Sequence, residues 1–380
     1  MKIFHTADWH LGKLFYGSYL TEDQAYLWKE QMLPAIKEYK PDVLIAAGDI
    51  YDRSLPPAEA VELLDEIITC VAEGLKIPMI LISGNHDSAE RLAFGSRLLA
   101  QRGVYVFGPI QQELAPIVIE DEHGPVSFVP IPYAEPAAIR HALENGEIRD
   151  HQQAMEAIVS HQLRNITAGH RKVAIAHAFV TGGIASDSER PLSIGGTDLI
   201  DGSVFSPFHY TALGHLHGPQ TVGSETVRYS GSLLKYSFGE HRQKKGLEYI
   251  ELGADGTIKR EQIPLTPKRD VRIVEGTFEE LMGNGAPPSE DYLLARLTDD
   301  APVLDGMARL RKKYPYIRAL EMTGRDMQAK TAKRADIRKV TEEEMFGTFV
   351  QETRGKALSE EEQVYMNRLW QGIWRQEEEV

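Results

Sequence analysis

The 380-residue chain holds a single cysteine, Cys70, which removes disulfide frameworks and cysteine-ligated metals from consideration. No uncharged apolar run reaches about 18 residues, so no helical membrane span is expected. The opening MKIFHTADWH lacks the apolar core and small-residue cleavage site of a secretory leader and reads as a strand with a polar end. These absences point to a cytoplasmic protein, with Cys70 expected in the core, on the apolar face of a helix. Basic charge is also short, since 42 Lys and Arg against 56 Asp and Glu leave a formal net charge of −14. That balance excludes generic affinity for nucleic acid, which needs basic surface to displace counterions. It leaves room for a local basic stripe, or for an acidic cluster neutralised by cations.

What is present has the rhythm of layered α/β architecture up to about residue 265, with short apolar runs alternating with helical patterns. Val43–Ala47, Ile77–Ile82, Val173–Ala176 and Tyr210–Leu213 read as strands. Residues 21–39 read as a helix despite Pro34. PPAEAVELLDEIITCVAEG reads as another, with proline at its start, Val61, Leu64, Ile68 and Val71 on one face and Gly74 closing it. From residue 270 the texture changes to a small module. Strands are expected at Val271–Ile273, Tyr292–Leu297 and Ile317–Met322, with helices at Phe278–Met282 and Val303–Tyr314. The expected division is 1–265, 269–323, a basic linker over 324–340 and a helical segment over 341–380. In the last, Thr341 with Glu344 and Ser359 with Glu362 form capping boxes, and Trp370 and Trp374 lie on an apolar face.

Polar residues fall at the ends of the strands. Asp8 and His10 close the first, Asp49 the second, Asn85 and His86 the third and His177 the fourth, while His215 and His217 follow the fifth. In open α/β sheets, sites form beyond the carboxyl ends of strands, so five termini are expected to converge. Carboxylates, imidazoles and an amide oxygen suit a borderline first-row divalent ion. Asp8, His10, Asp49, Asn85, His177, His215 and His217 exceed the needs of one ion and fit two that share a carboxylate. Two such ions clamp the attacking and leaving oxygens of a displacement at phosphorus.

In order, D-x-H, G-D-x-x-D, G-N-H-D, a lone histidine and G-H-x-H resemble the calcineurin-like metallophosphoesterase superfamily. KIFHTADWHLGK, GDIYDRSLPP, GHLHGPQ and YSGSLLKYSFGE look most like its bacterial branch of DNA nuclease subunits, over essentially the whole chain. The resemblance implies a central β-sandwich flanked by helices, a small α/β capping domain and a helical tail. One divalent cation, most readily Mn2+, would be held by Asp8, His10, Asp49 and His217. A second would be held by Asp49, Asn85, His177 and His215. His86 would be the catalytic imidazole acting on the leaving oxygen, and Asp52 would orient it. The substrate would be DNA, with exonuclease and endonuclease action on ends and hairpins. The partners would be an SbcC-type ATPase docked on the C-terminal helices and a second copy joined through the nuclease domain.

Two other functions fit parts of the pattern. A phosphomonoesterase or protein phosphatase of the same superfamily would share GDIYDR, but has no need of the last hundred or so residues. A scaffold on the same fold would be expected to have lost ligands. Taken singly, His177 reads as a structural histidine, and Asp8 and Asp49 as helix N-caps. Arg53 reads as a phosphate contact or a plain ion pair, and HRQKKG, with Arg242, Lys244 and Lys245, as a solvated turn or a DNA-backbone contact. Asp87 has no assigned role.

Overall fold

The computed structural model describes residues 1–111, 115–189 and 198–323, together with Val350, Ser359, Glu362, Gln363 and Met366. The expected basic linker, and the tail with Trp370 and Trp374, lie outside the described residues. One of the tail's two capping pairs is seen: Ser359 N donates to Glu362 Oε2 at 2.9 Å, and Glu362 N to Ser359 Oγ at 3.4 Å. The chain divides into two compact units. The first comprises Met1–Ile273, Ser289–Leu294 and Tyr316–Arg318, and the second the remainder.

The first unit is built on two six-stranded sheets. In chain order the strands are β1 (Lys2–Thr6), β2 (Val43–Ala47), β3 (Met79–Ile82), β4 (Val104–Phe107), β5 (Ile117–Asp121), β6 (Gly124–Ile131), β7 (Arg171–His177), β8 (Tyr210–Gly214), β9 (Gln220–Val222), β10 (Ser224–Tyr229), β11 (Gly246–Leu252) and β12 (Ile258–Pro264). The first sheet runs β12-β11-β1-β2-β3-β4 and the second β9-β10-β8-β7-β6-β5. Their facing sides share one core, in which Ile3, Ile45 and Ile80 meet Phe128, Ile175 and Ala212, all fully buried. The outer face of the second sheet buries Ala174 and Leu213 with Met155, Ile158 and Val159 of the helix His151–Leu163. On the outer face of the first, Phe4 lies 5.8 Å from the Tyr39 ring at the end of the 21–39 helix. Full burial of an aliphatic side chain of this kind contributes about 1.5–3 kcal/mol, so paired apolar faces suffice to hold the layers.

The 21–39 segment is helical throughout, with a widened turn over Trp28–Met32 just before Pro34. Proline cannot donate to the preceding turn, and the widened turn absorbs the missing bond. Cys70 is half-buried, not in the core as expected.

Strands β1, β2 and β3 are mutually parallel, as are β7 and β8. Parallel order brings carboxyl ends to one edge of each sheet, which is how residues 8, 49, 85, 177 and 215 become neighbours.

The small module has a three-stranded sheet in the order Val271–Gly276, Tyr292–Leu297, Ile317–Met322. Its helix Phe278–Met282 starts at a capping box formed by Thr277 and Glu280. The helix expected over Val303–Tyr314 is α-helical only from Gly306 to Leu310. Pro315 disfavours helical backbone at Tyr314, and Lys313 Nζ and Tyr314 Oη reach back to the carbonyl of Leu281.

Candidate metal centre

The loop after β1 alternates. Trp9 points into the core, fully buried, while Asp8 and His10 on either side face the pocket. Its backbone is pinned from three directions. Tyr236 Oη donates to Trp9 O, Gln24 Nε2 donates to Trp9 O at 3.0 Å and to His10 O at 2.8 Å, and His10 N donates to Asp49 O at 3.0 Å. Asp8 and Asp49 are not helix caps. Asp8 accepts from His215 N at 2.9 Å and Asp49 from His86 N at 2.9 Å, so both carboxylates tie strand ends together.

Four of the expected ligands hold the left-handed backbone region: Asp8 at φ 52°, His10 at 44°, Asp49 at 49° and His215 at 110°. Such conformations cost of order 1–3 kcal/mol each and persist only where surroundings enforce them, characteristically at functional sites. Gly48 has φ 92°, and a Cβ there would stand 2.2 Å from His177 Nδ1.

The donor side chains gather in two pairs about Asp49. His10 Nε2 and His217 Nε2 are 3.0 Å apart, and His177 Nε2 lies 3.0 Å from Asn85 Oδ1. Asp49 Oδ2 is 3.6 Å from His10 Nε2 and 3.5 Å from His177 Nε2. Two donors at right angles and about 2.1 Å from one cation stand about 3.0 Å apart, so both short pairs have the spacing of co-ligands. His215 joins the second pair, its ring centred 5.5 Å from that of His177. Asp8 Oδ1 is 3.9 Å from His177 Nδ1.

The outward nitrogens are also held. His177 Nδ1 donates to Ala47 O at 3.0 Å. His217 Nδ1 meets Ser188 Oγ at 2.6 Å, Ser188 donates to Glu240 Oε1 at 2.5 Å, and Glu240 Oε2 accepts from Lys245 Nζ at 2.6 Å. This chain leaves the proton of His217 on Nδ1 and its Nε2 lone pair facing inward, toward His10 Nε2. Two inward imidazole nitrogens 3.0 Å apart with the Asp49 carboxylate beside them form a donor set that fits a bound metal.

Ionisation equilibria in the pocket pull against one another. Burial pushes the Asp8 carboxyl up to about 7, despite the opposing charges of His177 and His217. Burial likewise takes His215 down to about 3. It works the same way on His177, but the Asp49 carboxylate outweighs it and lifts that imidazole to about 9.

Asp52 departs from expectation. Its backbone carbonyl, not its carboxylate, holds His86 Nδ1 at 2.8 Å. The carboxylate turns to the other side of the pocket, with Oδ1 3.6 Å from His10 Nδ1 and 2.8 Å from Lys13 Nζ. His86 Nε2 is 4.0 Å from Asp49 Oδ2, so the imidazole faces the shared carboxylate. Asp87 has a structural task, accepting from Ile50 N, Tyr51 N and Gly84 N and so fastening the β2 loop to the β3 loop. Arg53 sits 3.9 Å from Asp52 Oδ2 with its side chain 44% exposed.

Residues 1–219 match the calcineurin-like phosphoesterase family. The chain belongs to the calcineurin-like phosphoesterases. Residues 267–354 match a second family, the type 5 capsule protein repressor C-terminal domain. Among curated proteins, the D subunit of nuclease SbcCD from Staphylococcus saprophyticus is 35% identical over 94% of this chain and 95% of its own length. That of Staphylococcus epidermidis is 36% identical over 84% of this chain and 85% of its own. Among solved structures, nuclease MPE of Pseudomonas putida aligns at 21% identity and a TM-score of 0.21, over 47% of this chain and 62% of that one. The buried His and Asp cluster of this phosphoesterase is a divalent-metal centre, with His10, Asp49 and His86 in one group of mutually close donors and Asp8, Asp49 and His177 in another.

Sequence reasoning missed the shell behind these residues. Lys245 is not a turn or DNA-contact residue. It is 6% exposed and donates to His217 O, Ser232 Oγ, Glu240 Oε2 and Gln243 Oε1. Arg242 and Lys244 are exposed. Tyr236 packs edge-on against both His10 and His217, with ring centres 5.2 and 5.5 Å away. The available signal was GSLLKYSFGE itself, where a tyrosine and a glutamate interrupt an apolar stretch without helical or strand period.

Proposed function

We propose that this phosphoesterase is a two-metal DNA nuclease that hydrolyses phosphodiester bonds, with Asp8, His10, Asp49 and His217 holding one cation and Asp49, Asn85, His177 and His215 the other. The observation that carries this reading is the placement of Asp49 Oδ2, nearly equidistant from one imidazole of each pair. Bound there, the cations would supply a hydroxide nucleophile at neutral pH and neutralise charge on the phosphate. A mixed nitrogen and oxygen donor set accepts manganese, iron or zinc, and manganese is the cation that the family resemblance implies. The Asp52 carbonyl fixes His86 Nδ1, so a protonated His86 presents Nε2 toward the shared carboxylate and can protonate a leaving oxygen there.

Both Staphylococcus relatives are named as the D component of SbcCD, which supports an SbcC-type ATPase as partner; residues 341–380 are the segment that the family resemblance assigns to that contact. Leu55, Phe94 and Leu98, exposed at 68%, 88% and 72%, support a homodimer formed through the nuclease unit. Hydrolysis of linear and hairpin DNA should be compared with that of a small aryl phosphate, each with manganese, with and without the ATPase. Manganese-dependent DNA cleavage is the expected result. Turnover confined to the aryl phosphate would make the chain a phosphomonoesterase.

A further inference from the structure

The two ligand pairs are backed differently. Behind His217 stand Ser188 and Glu240, with Glu240 Oε1 3.5 Å from Nδ1, and Lys245 completes the series 2.6 Å from Oε2. Behind His10 stands Asp52, with Oδ1 3.6 Å from Nδ1, and Lys13 completes the series 2.8 Å from it. The two arrangements arise from unrelated segments and repeat one pattern of imidazole, carboxylate and lysine. His10 Nδ1 is buried, without a hydrogen-bond partner among the described residues, so its field comes from that carboxylate.

The other pair has no carboxylate and lysine series behind it among the described residues. His177 Nδ1 is hydrogen-bonded to a neutral carbonyl, that of Ala47. Asp8, 3.9 Å from it, is itself a candidate ligand of the first cation. Among the described residues no carboxylate forms an ion pair with His215, whose ring lies 5.8 Å from Phe179.

Glu240, hydrogen-bonded to His217 through Ser188, raises the basicity of that imidazole and fixes its tautomer, whereas Asp52 adds its charge 3.6 Å from His10 Nδ1 without a hydrogen bond. Losing such a group costs about 10–100-fold in metal affinity. We infer that the two cation positions are unequal, with Glu240 and Asp52 acting as positioning residues that make the His10 and His217 position the tighter one. Each carboxylate is paired with a lysine, Glu240 with Lys245 and Asp52 with Lys13. The cation beside Asn85 and His177 is then the exchangeable one, and the enzyme passes through a singly loaded state whenever metal is scarce. This inference rests on the two-cation reading above.

Metal-stripped full-length protein titrated with manganese, followed by calorimetry and by electron paramagnetic resonance of free ion, separates the possibilities. Wild type should show two binding events at least tenfold apart. Glu240→Gln and Asp52→Asn should each weaken the tighter event about 10–100-fold and leave the weaker unchanged. Because Glu240→Gln strands Lys245, Ser188→Ala offers a gentler break in the same series and should weaken the same event by less. Asn85→Ala should weaken only the looser event. Equal affinities in wild type, or variants that weaken both events alike, would overturn the inequality. Fewer than two bound cations in wild type would overturn the two-cation reading and the ranking with it.

Discussion

Gly84 leaves no room for a side chain beside Asp49, since a Cβ there would stand 2.1 Å from Asp49 Oδ1 and 2.4 Å from its backbone nitrogen. Gly84→Ala must therefore displace the carboxylate on which both donor pairs converge. A misplacement of about 1 Å can cost about 100-fold in rate, so metal-dependent turnover should fall by at least that much. Circular dichroism should be unchanged. A variant with wild-type turnover would show that Asp49 is not held where both cations need it.

His86 is the test of proton delivery. His86→Ala removes a group that faces Asp49 but leaves every proposed metal ligand in place. Cleavage should drop about 100- to 10,000-fold while manganese stoichiometry stays at the wild-type value. Loss of bound metal instead would make His86 a ligand.

Asp121 offers a pH test far from the pocket. Burial favours its neutral form, but the Arg171 guanidinium, bonded through two nitrogens, holds the carboxyl well below the usual carboxylate range. Because the folded value is the lower one, the pair stabilises fully above the unfolded value near 4 and loses that contribution as pH falls below it. Asp121→Asn should cost about 3 kcal/mol at pH 7, measured by urea unfolding. The gap to wild type should narrow at pH 3. A gap that widens on acidification would reverse the sign assigned here.

Phe94→Glu tests the proposed dimer. Phe94 is 88% exposed, so the change should leave folding intact and shift mass in light scattering from dimer to monomer. A dimer that survives the substitution places the interface elsewhere.

The pocket was legible because its residues sit at strand ends, where a periodic apolar pattern stops abruptly at Asp8, Asp49, Asn85 or His177. Hydrophobic periodicity locates such ends within a residue or two. It says nothing about side-chain direction, which is why Asp52 was expected to face His86 and instead turns its carboxylate to His10 and Lys13. Burial of Lys245 was illegible for a related reason. Its neighbours in sequence are polar, and only the tertiary fold supplies Glu240 and the His217 carbonyl as partners. The left-handed backbone at Asp8, His10, Asp49 and His215 was equally hidden, since nothing in a carboxylate or imidazole announces it.

Asp8, Asp49 and Asn85 follow strands of the first sheet, whereas His177, His215 and His217 belong to strand ends of the second. An ion bound as proposed would be gripped from both sides and would act as a rivet through the sandwich, so chelation should loosen the halves as well as silence the enzyme. At a metal concentration about 100 times the dissociation constant, the rivet adds about 2.7 kcal/mol. Starvation for metal would then shorten the lifetime of the protein itself, so that its abundance follows the metal supply.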